Sequence, residues 1–320
     1  MAVSPRPAPA PGLDVATLCD GDYALGVAAL LNSLVTAGFR GDLHVGHRGP
    51  LPSWLDGRGP GVPHGVAPGV RLVAWPLPGG RHVTQAKAAF LASVLDRSDA
   101  AVGLAYADAD VVVRQDWDFV VDWTRDAVAV CADHNPVFPR SHPTRRAWRR
   151  LAAELGETVG GELDLYANAG FVGVSRPAHA RGFLADWDRW TAAMAERGPG
   201  ALSGPEVAAG VGRHSPFQVP DQDALNLALM RHEDLVSMVG PQGMGFAPGW
   251  RVLAHSTGAV KPWRRRPVVD ALRGVPVDDA ERAFLAHAAG PVRRVLPARR
   301  LALHRAAARL DGAVGRLRRR

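Results

Sequence analysis

Apolar residues along this chain come in short blocks whose spacing switches between two and roughly 3.6. Residues 13–19, 43–45, 70–75, 101–107 and 127–131 read as strands, as do a block near 170–174 and the run 252–255. Helical spacing occupies 25–35, about 84–95, 177–194 and 221–230. Strands alternating with helices in this way predict an α/β fold around a mainly parallel sheet. Three Gly/Pro-rich connections, 46–69, 133–144 and 198–220, are long enough to carry specificity or to act as lids.

The chain has 320 residues, 47% of them hydrophobic, which suits one large α/β domain or two smaller ones. No apolar run reaches the roughly 20 residues that span a bilayer, and the opening lacks the charged and apolar regions of a secretory signal. A cytoplasmic protein with a disordered Pro/Ala-rich tail at 1–11 is therefore expected. Cys19 and Cys131 lie far apart inside apolar stretches and suggest neither a disulfide nor a thiolate metal site. The net charge of +7 is concentrated: residues 290–320 hold ten arginines against the single acid Asp311, a balance of +9 that leaves −2 on residues 1–289. A basic tail on a nearly neutral body argues against a broad nucleic-acid surface and for a tail with its own task. Within it Leu296, Leu303, Leu310 and Leu317 recur every seven residues among Arg299, Arg300, Arg305, Arg309 and Arg316. That pattern predicts a basic amphipathic helix suited to an anionic membrane surface, with docking of the leucines on the body as the alternative. Lys87 and Lys261 are the only lysines; every other basic residue is arginine.

Candidate chemistry concentrates in Asp108-Ala-Asp110, at the end of an apolar run that starts at Leu104. Two carboxylates one residue apart at a strand end can both face one cation. Three readings fit this segment alone: a strand closed by solvated acids, the Asp-x-Asp of a nucleotide-sugar transferase of GT-A type, and the first motif of haloacid-dehalogenase-type phosphatases. Position counts against the phosphatase, whose motif ends the first strand of its fold. The Gly-Asp-x-x-x-Asp type acid pair it needs is also missing after Asp110.

Further segments then arrive in order. They are Asp20-Gly-Asp22-Tyr23 with Asn32-Ser33-Leu34, Thr84-Gln-Ala-Lys87, Tyr106 to Val113, Tyr166-Ala-Asn168-Ala-Gly170, Asp221-Gln222-Asp223, and His255-Ser-Thr-Gly258-Ala-Val-Lys261-Pro262-Trp263. Together they resemble glycosyltransferase family 8, the group containing glycogenin and the bacterial lipopolysaccharide galactosyltransferases. The resemblance spans about residues 13 to 263. It implies a GT-A (Rossmann-like) domain over 12–265 and leaves 266–320 as a basic helical extension.

In such a site Asp108, Asp110 and His255 would hold Mn²⁺ or Mg²⁺, a carboxylate and imidazole set suited to those ions. Lys261 would meet a diphosphate as a point charge, Gly258 would let the backbone approach it, and Trp263 would pack to fix the turn. Asp20, Asp22 and Tyr23 would take the nucleoside, and Lys87, Asn168, Asp221 and Gln222 the donor sugar. Helix capping competes for Asp22 and Asp221, and a solvated helix position competes for Lys87. The resemblance implies a metal-dependent retaining transfer of a hexose-type sugar from a UDP-sugar to an external glycan, lipid-linked or small-molecule acceptor. Front-face substitution is favoured because Gln222 is a poor nucleophile. Tyr23, Tyr106 and Tyr166 all lie inside motif segments, which leaves no tyrosine for self-glucosylation. A peripheral position at the inner face of the cell membrane follows from the tail. A non-catalytic nucleotide-sugar or membrane-binding protein is the other class that the sequence allows.

Overall fold

The computed structural model describes residues 12–317 except 57–58, 99, 101, 135–138, 162, 176–178, 198–214 and 274, with backbone only at 179 and 310–317. The elements run β1 (Leu13–Asp20), α1 (Ala24–Thr36), β2 (Gly41–Arg48), α2 (Ser53–Asp56), β3 (His64–Ala67), β4 (Val70–Pro76), α3 (Lys87–Leu95), β5 (Gly103–Ala107), β6 (Val111–Val113), α4 (Trp117–Thr124) and β7 (Val128–Ala132). They continue as α5 (Pro143–Glu154), β8 (Ala167–Ser175), α6 (His179–Arg197), α7 (Pro220–Arg231), β9 (Val236–Val239), β10 (Leu253–His255), α8 (Pro267–Leu272), α9 (Asp279–His287) and α10 (Ala298–Leu317).

One eight-stranded sheet has the order β3-β4-β2-β1-β5-β8-β7-β9. Its centre, β4-β2-β1-β5, is parallel, while β3 and β8 run antiparallel to their neighbours and β9 is parallel to β7. The central strands are buried on both faces, which is why they read as continuous apolar runs. Their period of two sorts the core: Ala16, Leu18, Leu104 and Tyr106 face the side covered by α3, α6 and α7, whereas Val15, Ala105 and Ala107 face α1 and α4. Removing this apolar surface from water at about 25 cal/mol per Å² is the main force that holds the layers together.

Several elements escaped the sequence pattern. The stretch 46–69 contains α2 and β3, and β6, α4, α5 and β9 were not foreseen. Residue 101 and the expected helix start at 177 lie outside the described residues, as does most of the connection 198–220. The run 252–255 is a strand, but β10 pairs antiparallel with β6 in a separate two-stranded sheet.

The C-terminal part is bonded to the body. Buried Asn32 on α1 donates through its amide to the carbonyls of His287 and Arg293 and accepts from the N–H groups of Val292 and Arg293. Val295, Leu296 and Leu301 join Trp263, Phe284 and Ala28 in one apolar cluster. The expected leucine stripe splits: Leu296 is buried, but Leu303 is 50% exposed, and Leu301, His304 and Ala307 face inward instead. The helix turns so that this mixed face meets α8 and α9. The side chains of Leu310 and Leu317 lie outside the described residues. Among the described residues no helix is long and apolar enough to cross a membrane.

Candidate functional site

β5 ends at Ala107, and the Asp108 N–H donates to the carbonyl of Gly170 on β8. The Val111 N–H then closes a turn onto the Asp108 carbonyl, so both acids leave the strand at the sheet's edge. Tyr106 to Val113 is thus two strands joined by an acidic turn, not one. The β6–β10 ladder pairs Val111 with His255, and the Ser256 N–H bonds the Asp110 carbonyl. Backbone pairing between residues nearly 150 positions apart therefore delivers the imidazole to the carboxylates.

His255 Nε2 lies 3.2 Å from Asp110 Oδ1 and 3.8 Å from Asp108 Oδ2. Its other nitrogen, Nδ1, lies 3.2 Å from Asn168 Oδ1. That oxygen also accepts from the Gly170 N–H, while Asn168 Nδ2 donates to Asp133, so the amide's orientation follows from its partners. Nδ1–H of His255 therefore donates to Asn168, and Nε2 is the nitrogen turned toward the two carboxylates and any cation they hold. Gly170 makes room for this ring: a Cβ there would stand 2.4 Å from His255 Cε1. The three ligand atoms lie within 4.8 Å of one another, a donor set that fits a hard divalent cation.

Both lysines of the chain close on these acids. Lys87 Nζ sits 3.1 Å from Asp108 Oδ1 and 3.1 Å from Asp221 Oδ2, and it donates to the Ala169 carbonyl. It is only 3% exposed, so it is no solvated helix lysine. Burial alone would lower its pKa, but Asp108 and Asp221 outweigh that and push it up to about 12. Burial raises Asp221, with the Lys87 charge opposing. Tyr106, pushed well above the usual phenol range by burial and then by Asp108, keeps its proton and donates to Asp108 Oδ1 at 2.6 Å. Lys261 Nζ donates to Asp110 Oδ2 at 2.7 Å and to the Ser256 carbonyl. Burial would raise Asp110, yet His255 and Lys261 hold it well below the usual carboxylate range.

These groups line one cavity of about 750 Å³ together with Asp20, Asp22, Tyr23, Asp133, Asn168 and Gln222. The structure thus brings together every residue expected to contact metal, nucleoside, diphosphate or sugar except Gly258, which is exposed and absent from the lining. A Cβ at Gly258 would meet nothing nearer than the Val260 carbonyl oxygen at 3.9 Å. Asp22 caps no helix: Arg264 grips its carboxylate with two bonds of 2.7 and 2.5 Å and stands 5.5 Å from the centre of the Tyr23 ring. Val219, not Asp221, occupies the cap position of α7. Trp263 packs edge-on to Tyr23 and against Phe284, as expected of a side chain that fixes a turn.

Asp133 and Arg264 join the cavity with bonds that the sequence pattern does not mark. Asp133 Oδ2 accepts from both Asn168 Nδ2 and Gln222 Nε2, at 2.6 and 3.1 Å. It follows β7 as Asp108 follows β5, and an acid directly after an apolar strand was the available signal. Arg264 directly follows the Trp263 that closes the last motif, where one more cation among many carried no mark.

No family model and no curated protein matches this chain. Solved structures do. The bifunctional glycosyltransferase WbbM aligns at a TM-score of 0.53 and 15% identity, covering 93% of this chain, which spans 52% of that protein's length. The galactosyltransferase LgtC, in complex with donor and acceptor sugar analogues, aligns at 0.50 and 16% over 90% of this chain and 98% of its own. GlyE of Streptococcus pneumoniae TIGR4 aligns at 0.51 and 14% over 89% of this chain and 62% of its own. The fold is GT-A. At these identities the likeness extends to the fold alone.

Proposed function

We propose that the protein is a metal-dependent retaining glycosyltransferase that moves a hexose-type sugar from a UDP-sugar to an external acceptor. The observation that carries this reading is the Asp108, Asp110 and His255 set, with the imidazole Nε2 turned toward both carboxylates, flanked by both lysines in a cavity large enough for a nucleotide sugar. The GT-A fold and the sugar analogues bound to LgtC add to it. A divalent ion, Mn²⁺ or Mg²⁺, held by these three residues would supply positive charge to a leaving diphosphate.

The remaining steps belong to the chain's own side chains. Lys261 leaves Asp110 to meet the diphosphate, and its compact ammonium can do so without the fork geometry an arginine imposes. Asp20, Asp22 and Tyr23 receive the nucleoside, with Arg264 moving aside or joining the contact. Lys87, Asp221 and Asn168 bond the sugar's hydroxyls. Gln222 is held at both ends, its Oε1 accepting from the Ala169 N–H and its Nε2 donating to Asp133. An amide oxygen already engaged is a weak nucleophile, which favours front-face substitution with the leaving phosphate taking the acceptor's proton. The acceptor enters on the Asp133 side, and a glycan, lipid-linked or small hydroxyl compound fits this reading.

An anionic membrane surface beside the C-terminal helices belongs to the same reading. Leu272 is 84% exposed and Val268 54%, on a helix preceded by Arg264, Arg265 and Arg266. Full-length protein is expected to sediment with anionic vesicles at low salt and to be released by high salt; sedimentation that ignores salt would contradict this part. The transfer reaction itself is tested by release of UDP from UDP-hexoses, which needs Mn²⁺ or Mg²⁺ on this reading and is abolished by EDTA.

A further inference from the structure

The turn that carries Lys261 and Arg264 has few bonds of its own. The Arg264 N–H bonds the Lys261 carbonyl, closing a single 3₁₀ turn over Pro262–Arg264. Short 3₁₀ turns hold poorly on their own. Here the support comes from more than thirty residues further along the chain. Arg300, on the first turn of α10, donates from Nη2 to the Trp263 carbonyl at 2.8 Å and to the Arg265 carbonyl at 3.2 Å. These are the two carbonyls that flank Arg264. Beside them, Glu281 of α9 is 4% exposed and pairs with Arg265 at 3.3 Å, and Phe284 packs on Trp263.

We infer that Arg300 is a positioning residue of the donor site: α10 clamps the 261–265 turn and so places Lys261 and Arg264, without itself reaching the cavity. Arg300 is absent from the cavity lining, so it acts through the turn alone. A guanidinium suits this task because one planar group can serve two carbonyls from a fixed direction. The inference also revises the domain boundary read from the sequence. A division at 265/266 separates the last site residue from the helices that hold it.

This inference rests on the UDP-sugar reading for its kinetic arm and stands alone for its exchange arm. Hydrogen bonds from a charged donor are among the stronger ones, and each factor of ten corresponds to about 1.4 kcal/mol, so Arg300→Met is expected to raise the KM for the sugar donor about tenfold. The kcat and the acceptor KM should stay within about twofold, because the Arg300 bonds to this turn go to the carbonyls around the donor-site residue Arg264. Arg300→Lys should recover only part of the loss, since an ammonium lacks the fixed planar fork. In the absence of any ligand, hydrogen exchange of the Arg264 amide should accelerate in Arg300→Met and recover in part in Arg300→Lys. An unchanged donor KM together with unchanged exchange at 264 overturns the inference. So does a fall in thermal stability that raises donor and acceptor KM alike, since that is general loosening. If the wild-type protein turns over no nucleotide sugar, the functional reading fails and the exchange result alone decides whether Arg300 is a clamp.

Discussion

Two clusters of the same composition sit at opposite ends of the sheet. Asp14, Asp42 and His44 place three ligand atoms within 4.8 Å of one another, as do Asp108, Asp110 and His255. A search for ligand types alone would rank them equal. The groups behind their imidazoles separate them. His44 Nδ1 accepts from the Trp75 indole N–H at 3.2 Å, so in the neutral ring Nε2 carries the hydrogen and points it toward Asp14. His255 Nδ1 faces an oxygen, so its Nε2, turned toward Asp110 and Asp108, is the nitrogen available to a cation. Asp14 is further consumed by the Asp42 N–H and the Ser98 hydroxyl, and Asp42 by two bonds from Arg71. The first cluster is a closed structural network at the start of β1 and β2; the second opens on the cavity and faces two amines, those of Lys87 and Lys261. One hydrogen-bond donor or acceptor behind each imidazole separates the two clusters.

The sharpest way to break this comparison is to remove one charge from each cluster. Asp110→Asn should lower transfer on the order of 10² to 10³-fold while the protein melts close to the wild-type temperature, because the apolar packing around β6 is untouched. Asp14→Ala should do the reverse. Leaving His44, Ser98 and the Asp42 N–H without their shared partner is expected to cost about 3 kcal/mol of stability, with activity per folded molecule preserved. Chemical denaturation and initial rates on both variants check this pair, and a catalytic loss in Asp14→Ala at full folding would contradict it.

The next test concerns the two lysines. In a chain that uses arginine at every other basic position, both lysines stand on the acidic cluster. Lys261→Ala should weaken UDP binding about tenfold or more and uridine binding little, as read by calorimetry. Lys261→Arg should restore only part of the loss, since a planar fork replaces a point charge. Equal losses for UDP and uridine would show that Lys261 does not face the phosphates.

The smallest effect is a pH dependence. Burial would raise the Asp14 carboxyl, but hydrogen bonds from His44, Asp42 and Ser98 hold it below its ordinary value. The native carboxyl therefore releases its proton more readily than the unfolded one, and the unfolded chain takes up protons first as pH falls. Stability from this group is present above the unfolded pKa, near 4, and is lost as pH drops toward the native value. Thermal melts from about pH 5 to pH 3 should fall more steeply in wild type than in Asp14→Asn. Parallel slopes would remove the charged network from the account.

Much of the fold and most of the site were legible from residue patterns. Strands buried on both faces left apolar runs, and the acids at the end of β5 stood out against them. What stayed hidden depended on pairing between distant segments. Nothing in the sequence says that β10 leaves the main sheet for β6, that β8 runs antiparallel, or that Asp133 bonds Gln222. The seven-residue leucine spacing misled for a related reason: Leu303 obeys the repeat but Leu301, His304 and Ala307 face the neighbours, and only tertiary contact chooses among faces of an alanine-rich helix. The same neighbours predict that a chain ending at Ala289 will not stay folded, because Val295, Leu296 and Leu301 leave the Trp263 cluster and Asn32 loses three of its four bonds. A soluble, cooperatively melting truncation at 289 would show that the extension is dispensable.

On the proposed reading, Asp108, Asp110 and His255 bind a divalent ion that in turn holds a nucleoside diphosphate. Thermal melting with UDP, with Mn²⁺, with both, and with both plus excess EDTA tests it directly. A ligand at 100 times its dissociation constant adds about 2.7 kcal/mol of stability, so UDP with Mn²⁺ should raise the melting temperature by several degrees. UDP alone should do far less, EDTA should reverse the gain, and Asp110→Asn should show none of it. A UDP-induced shift that is equal with and without metal, or that survives in Asp110→Asn, would contradict the account.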